Sequence, residues 1–129
     1  MFGKGVYFAD MSSKSASYCC ANDSGGKGLL LLSDVELGRL YKLYNSDYHA
    51  QENAIKLGRC STLGKGRINP SGWKKAGFIH PDLRNVWMPD VAAGPTQRNH
   101  GQCQLNYNEY IVYDASQIQL RYLFFVNIY

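Results

Sequence analysis

The chain has 129 residues, of which 14 are Lys or Arg, 10 are Asp or Glu and 3 are His, so its formal net charge is +4. A hydrophobic share of 45% and a charged share of 19% are typical of one globular domain and exclude a disordered tail. The longest obvious apolar run, Leu29 to Leu32, is far shorter than the roughly 18 residues of a membrane span, and the start lacks the apolar region of a signal peptide.

The N-terminal part of the chain predicts a short strand and then a short helix. Val6 to Ala9 is apolar and β-prone. Asp10, Ser12 and Ser13 are all favourable helix N-caps, and Lys14 to Ala21 then suits a short helix. The seven residues that follow, NDSGGKG, predict a turn because a glycine pair lies among small polar residues.

The next segment, Leu29 to Leu37, begins with four leucines and predicts a buried strand. Ser33 to Glu36 matches a helical capping box, but the apolar run precedes the box instead of following it, so we favour the strand. The strand is expected to continue irregularly to Leu43. A short helix near Ala50 to Leu57 and a large excursion from Cys60 to Pro95 follow.

The C-terminal end predicts two strands. Asn108 to Tyr113 is rich in β-branched and aromatic residues, and Ile118 to Ile128 alternates strictly, which places its even-numbered residues on one face. Residues 114–117 connect the two. We expect neighbouring strands in a largely buried sheet and therefore an α+β fold.

The residues that could hold a metal ion or form disulfides are dispersed along the chain. No Cys-x-x-Cys pair occurs, and the histidines lack metal-ligand spacing. The residues concerned are Cys19, Cys20, Cys60, Cys103, His49, His80 and His100. We expect reduced cysteines in an intracellular protein and no metal site.

Two small groups of residues could carry chemistry. Ser15 and Tyr18 share one face of the predicted helix, and Tyr7 precedes it, so an aromatic amide could stack on a ring and accept a hydrogen bond. Spacing alone favours the alternative, in which Tyr18 is a core residue and Ser15 is solvated. Glu109 opens an apolar strand, where it is either a carboxylate for glycosyl-transfer chemistry or an acid paired with Lys or Arg.

These segments also carry a resemblance to a known family. Residues 1–19, MFGKGVYFADMSSKSASYC, are similar to the donor-site motif of the poly(ADP-ribose) polymerase catalytic domain. Residues 108–114, NEYIVYD, are similar to the segment of that family that bears its catalytic glutamate. GLLLLSDVELG and QIQLRYLFFVNI also follow the family pattern, and residues 60–95 correspond to its variable loop.

The resemblance implies a mixed, largely antiparallel sheet of the ADP-ribosyltransferase type and a site that takes NAD as the ADP-ribose donor. It implies that Ser15 hydrogen-bonds the nicotinamide carboxamide, that Tyr18 stacks on the ring and that Tyr7 flanks the adjacent ribose. It also implies that Glu109 binds the 2′-hydroxyl of that ribose and helps to activate an acceptor hydroxyl.

The same resemblance implies partners and a location. Acceptor proteins, including the enzyme itself, would receive ADP-ribose in the nucleus, without a metal ion and without a membrane. DNA would be contacted only through modules that this chain lacks. A small basic nucleic-acid binder is a third interpretation, and only the +4 charge supports it.

One departure from the family pattern is large. The family's His-Gly segment, whose histidine holds the adenosine-side ribose, lies upstream of residue 1, and His100-Gly101 is in the wrong order to replace it. We therefore expect residues 1–129 to be a partial, incomplete catalytic domain that is oligomeric or poorly soluble and inactive on NAD by itself. The alternative is a non-catalytic remnant that binds nicotinamide weakly or contacts protein partners.

Overall fold

A computed structural model describes residues 1–98, 101 and 103–129, so His100 lies outside the described residues. The described part is α+β and consists mostly of short strands, which confirms the predicted class. Its elements are β1 (Val6–Phe8), α1 (Ser12–Ala16), β2 (Lys27–Val35), β3 (Leu40–Leu43), α2 (Ala50–Lys56), β4 (Ser61–Gly64), β5 (Gly66–Pro70), β6 (Trp73–Lys75), β7 (Trp87–Pro89), β8 (Pro95–Gln97), β9 (Leu105–Tyr107), β10 (Glu109–Val112) and β11 (Ile118–Asn127).

A four-stranded sheet in the order β1-β10-β4-β3 holds the core of the molecule. β10 is antiparallel to both of its neighbours, and β3 is parallel to β4. Ile111 and Val112 are fully buried because β10 is an interior strand, and Phe2 and Ala50 pack on the same core. The predicted strand Asn108 to Tyr113 is therefore confirmed as the centre of this sheet.

A two-stranded antiparallel ribbon, β2 and β11, lies outside that sheet. The prediction that the two C-terminal strands are neighbours is wrong, because among the described strands β10 pairs with β1 and β4, whereas β11 pairs with β2 alone. The prediction that Leu29 to Leu37 is buried is also wrong. Leu29 and Leu31 are about three-fifths exposed, because β2 belongs to a two-stranded ribbon outside the core sheet.

A β-bulge at Arg121 breaks the predicted alternation of β11. Leu120 is paired with Ser33 and Tyr122 with Leu32, so Arg121 is the extra residue. From Tyr122 onwards the even-numbered side chains therefore lie on the opposite face from Ile118 and Leu120. Five strongly exposed apolar residues share the Leu120 side, which we call the open face: Leu29, Leu31, Leu120, Leu123 and Phe125.

The two helices differ in how well the sequence predicts them. α2 occupies Ala50–Lys56, as expected, and buries Ala50 and Ala54. α1 is shorter than predicted and ends at Ala16. Beyond it the chain forms a tight turn, because the N–H groups of Tyr18 and Cys19 donate to the carbonyl oxygens three residues earlier, at Ser15 and Ala16. Its N-cap is Met11, which makes no side-chain cap hydrogen bond, so the predicted polar caps are wrong.

The predicted excursion from Cys60 to Pro95 contains regular structure. β5 lies between antiparallel β8 and parallel β9, and β6 pairs with β7 in a separate hairpin. Short 3₁₀ turns at Ala76–Phe78, Pro81–Leu83 and Val91–Ala93 connect these strands, and another at Ala115–Gln117 precedes β11. None of the helices in the described ranges is long and apolar enough to cross a membrane.

Candidate functional site

Glu109 opens β10, and its side chain is only 10% exposed. The interior position of β10, between β1 and β4, holds this carboxylate at the head of a largely buried strand. Lys14 on α1 pairs with it, with 2.6 Å between Lys14 Nζ and Glu109 Oε1. The sequence left open whether Glu109 is paired with a basic residue, and the structure shows that it is.

Lys14 connects Glu109 to the ring of Tyr18. Its ammonium group lies 5.6 Å from the ring centroid, one helical turn along the chain. Burial disfavours the charged form of Lys14, but the hydrogen bond and the charge of Glu109 outweigh that effect, so the pKa of Lys14 lies above its ordinary value. Sequence reasoning missed Lys14, although its place immediately before Ser15 and four residues before Tyr18 was a usable signal.

All four residues singled out from the sequence line one cleft. Its volume is about 1990 Å³, larger than the roughly 300–1,000 Å³ of typical small-molecule pockets. Tyr7, Ser15, Tyr18 and Glu109 lie along its wall together with Lys14. β1, α1 and β10 thus bring residues more than 100 positions apart to one surface.

The exposure of Tyr18, Ser15 and Tyr7 distinguishes a binding site for an aromatic ring from the alternative in which Tyr18 is a core residue and Ser15 is solvated. Tyr18 is 72% exposed, so it is not a core residue, and Ser15 is half-buried instead of fully solvated. Tyr7 is 40% exposed, and its hydroxyl accepts a hydrogen bond from Phe2 N at 3.0 Å and donates one to Gly3 O at 2.9 Å. Its ring therefore faces the cleft while its hydroxyl is satisfied within its own segment.

A polar network holds the two residues that flank Glu109 in the chain, Asn108 and Tyr110. Asp10 Oδ2 accepts hydrogen bonds from Asn108 Nδ2 at 2.8 Å and from the Tyr110 hydroxyl at 2.9 Å, and Asn108 Oδ1 accepts one from Gly66 N at 2.9 Å. These bonds fix the residues on either side of Glu109. The sequence predicted Asp10 only as a helix cap and missed this role, because its partners lie almost 100 residues away.

Burial dominates the protonation chemistry of this network. It raises the pKa of Asp10 above the ordinary value, although the bonds from Asn108 and Tyr110 oppose the shift, and Asp10 Oδ1 is buried without a hydrogen-bond partner. Burial also raises the pKa of Tyr110, with the adjacent Asp10 charge acting in the same direction. The Tyr110 hydroxyl therefore remains a neutral donor.

Across residues 1–98, 101 and 103–129, no three His, Cys, Asp or Glu side chains lie close enough together to hold a metal ion. The arrangement in the cleft is instead a carboxylate held by an ammonium group, next to an exposed aromatic ring. Such a site can bind a flat ring and stabilise positive charge that develops near the carboxylate.

Comparison with known proteins places the chain in a family. The family model of the poly(ADP-ribose) polymerase catalytic domain matches residues 1–128. Poly [ADP-ribose] polymerase 2-A of Oryza sativa subsp. japonica is 43% identical over 127 residues, which is 98% of this chain and 18% of that protein. Poly [ADP-ribose] polymerase 2 of Homo sapiens is 45% identical over 124 residues, 95% of this chain and 20% of that protein.

A third relative, poly [ADP-ribose] polymerase of Drosophila melanogaster, is 41% identical over 125 residues, 96% of this chain and 12% of that protein. The chain thus spans a fifth or less of the length of these relatives. The family model covers both segments that line the cleft, the one with Lys14 and the one with Glu109. The chain therefore belongs to the poly(ADP-ribose) polymerase catalytic-domain family.

Proposed function

We propose that this chain carries the nicotinamide-side part of an NAD-dependent protein ADP-ribosyltransferase site. The observation that carries the proposal is the Glu109 carboxylate, held 2.6 Å from Lys14 in the same cleft as Ser15 and the exposed Tyr18 ring. Residues 1–129 would be a partial catalytic domain whose sheet is of the ADP-ribosyltransferase type. The family assignment supports this proposal.

In the proposed reaction, NAD is the donor substrate. The bond between the ribose C1′ and the nicotinamide nitrogen breaks, the electron pair leaves with nicotinamide, and the ribose becomes oxocarbenium-like. An oxygen of the acceptor protein forms the new bond to C1′, and its proton passes by way of Glu109 to solvent. A carboxylate is suited to both tasks because it stabilises the cationic sugar and accepts a proton.

The other residues would position the donor. Tyr18 offers an exposed face on which nicotinamide can stack, and Ser15, three residues before it, has a hydroxyl for the carboxamide. Tyr7 would flank the adjacent ribose. Lys14 would hold the Glu109 carboxylate in position through the ion pair between Lys14 Nζ and Glu109 Oε1.

Further parts of the proposal concern the partners. Acceptor proteins, including the enzyme itself, would receive the ADP-ribose, and the protein would act in the nucleus. The family supports these expectations, and the poly [ADP-ribose] polymerase names of the relatives favour chain elongation over transfer of a single unit.

The test joins this chain to the segment that precedes the matched region in the rice relative and follows transfer of labelled ADP-ribose from NAD. We expect Glu109→Gln to lower transfer by at least about 100-fold while NAD binding is largely kept, because the carboxylate acts mainly on the transition state. Glu52→Gln is the matched control, since Glu52 is 68% exposed on α2. Transfer by Glu109→Gln at the rate of the control would overturn the proposal.

A second measurement distinguishes the proposed enzyme from a non-catalytic remnant that only binds nicotinamide. Nicotinamide is titrated into the chain joined to that upstream segment, and the NMR signals of Ser15 and Tyr18 are followed. Binding at these residues without any transfer, even after the upstream segment is joined, would favour a nicotinamide-binding module over an enzyme.

A further inference from the structure

A second, smaller cavity lies near the cleft and is strongly polar. Its volume is about 170 Å³, which suits a single tetrahedral oxyanion better than a drug-sized ligand of roughly 300 Å³ or more. Its polar lining comes from Lys65, Asn69, Trp73, Arg98, Asn108 and Tyr110. Trp73 and Tyr110 also line the large cleft, so the two cavities adjoin.

Hydrogen bonds fix the main chain of Lys65 and Arg98 and the side-chain amide of Asn69. Lys65 N donates to Leu43 O at 2.8 Å, which fixes the connection between β4 and β5. Arg98 N donates to Arg67 O at 2.8 Å, so Arg98 is held beside β5. Asn69 Nδ2 donates to Gly66 O at 3.0 Å, which leaves its second N–H available.

The charged residues that line the cavity in the described structure are basic. Among the described residues, Lys65 and Arg98 line it and no Asp or Glu does. In the described part of the chain, the ion pairs involve other residues, so neither Lys65 nor Arg98 is neutralised by a carboxylate within 4.0 Å. Asp10 lies behind the wall, and its Oδ2 is already bonded to Asn108 and Tyr110. The net field in the cavity therefore favours an anion.

We propose that this cavity binds a phosphoryl group. Arg98 supplies a planar guanidinium with several N–H donors, and Lys65 supplies a compact positive charge. The second N–H of the Asn69 amide supplies a further hydrogen-bond donor. This combination is suited to a tetrahedral oxyanion. Adjacent Trp73 offers a ring on which a base could stack if the phosphoryl group belongs to a nucleotide that extends into the cleft. The site does not depend on the proposed transferase activity.

The experiment joins the ¹⁵N-labelled chain to the same upstream segment of the rice relative, titrates inorganic phosphate at constant ionic strength and follows the signals of Lys65, Asn69, Trp73 and Arg98. We expect saturable shifts there and at least about tenfold weaker binding by the double variant Lys65→Gln/Arg98→Gln. The control, Lys56→Gln/Arg59→Gln, removes the same charge from residues that line neither cavity. Well-dispersed spectra of both variants establish that they fold.

Two outcomes would overturn the proposal: the absence of saturable shifts at these residues, or an equal loss of affinity in the control variant, which would show general charge attraction. A parallel titration with ADP-ribose identifies the source of the group. Affinity at least about tenfold above that of phosphate supports a nucleotide phosphate, and equal affinity supports free phosphate. Because no transfer reaction is measured, failure here leaves the role of Glu109 untouched.

Discussion

At the residue scale, the pair of Lys14 and Glu109 is the main electrostatic feature of the cleft. The two side chains are 19% and 10% exposed, so both charges have lost most of their water. Such a pair is weak support for stability as a whole, but removal of one partner leaves an uncompensated charge. The pair therefore ties α1 to β10, two elements distant in sequence.

Lys14→Met should destabilise the fold by roughly 2–5 kcal/mol, because Glu109 is left buried without its partner. The double variant Lys14→Met/Glu109→Gln should recover part of that loss, since no unpaired charge remains. Urea unfolding of the wild type, both single variants and the double variant measures the coupling. A cost no greater than that of Lys56→Met on the exposed side of α2 would contradict the prediction.

Asp10 makes stability depend on pH. Its pKa in the folded protein lies above the ordinary value of 3.8, chiefly through burial, so the folded protein keeps this proton to a higher pH than the unfolded chain. The stabilising contribution of protonated Asp10 is thus complete below about pH 4 and is lost as the pH rises through the folded pKa.

Asp10→Asn stays neutral at every pH and can still accept the bonds from Asn108 and Tyr110. Its free energy of unfolding, relative to the wild type, should therefore increase as the pH rises from about 4 to 7. Urea unfolding across that range provides the comparison, with Asp23→Asn in the exposed turn as the control. A difference that stays constant with pH would refute this role of Asp10.

At the scale of elements, the contact of β5 with β9 depends on a glycine. A Cβ atom on Gly66 would collide with the backbone of Tyr107, which cannot move aside without breaking the pairing of the two strands. Gly66 N also donates to Asn108, the residue immediately before Glu109. The close approach therefore supports the cleft as well as the small sheet.

Gly66→Ala should lower the free energy of unfolding by at least about 3 kcal/mol, because it overpacks backbone against backbone. Gly101→Ala is the matched control, since a Cβ atom there meets nothing within 4 Å. Urea denaturation measures both variants. Equal stability of the two would show that β5 and β9 do not approach each other as closely as described.

At the scale of the whole molecule, the ribbon of β2 and β11 exposes a contiguous set of apolar side chains. The open face, Leu29, Leu31, Leu120, Leu123 and Phe125, is between 60% and 68% exposed at each position. Contiguous apolar patches of this kind mark interfaces or cause association, and no third strand in the described part of the chain pairs with the edges of the ribbon.

The isolated chain should therefore form oligomers or aggregates, and Leu31→Lys/Leu123→Lys should shift it towards the monomer. Light scattering over a range of concentrations measures the change. Ile55→Lys/Leu57→Lys is the control, because these residues are equally exposed but lie near the end of α2. A wild-type chain that is monomeric throughout, or an equal response of the control, would contradict this prediction.

The sequence by itself determined local structure and the identity of the chemical groups. The apolar density of Asn108 to Tyr113 predicted β10, and α2 formed where its composition placed it, because both signals depend on residues close in the chain. The motifs that contain Tyr7, Ser15, Tyr18 and Glu109 indicated the family, which the family model confirmed.

Tertiary structure alone decided which elements meet. No local signal shows that β11 pairs with β2 and not with β10, or that a bulge at Arg121 turns its side chain towards Asp34 at 3.3 Å. The ion pair between Lys14 and Glu109 and the hydrogen bond between Asn108 and Asp10 likewise join residues that are far apart in the chain. Pairing between distant segments depends on how all faces are covered together, so composition and periodicity, which are local, cannot determine it.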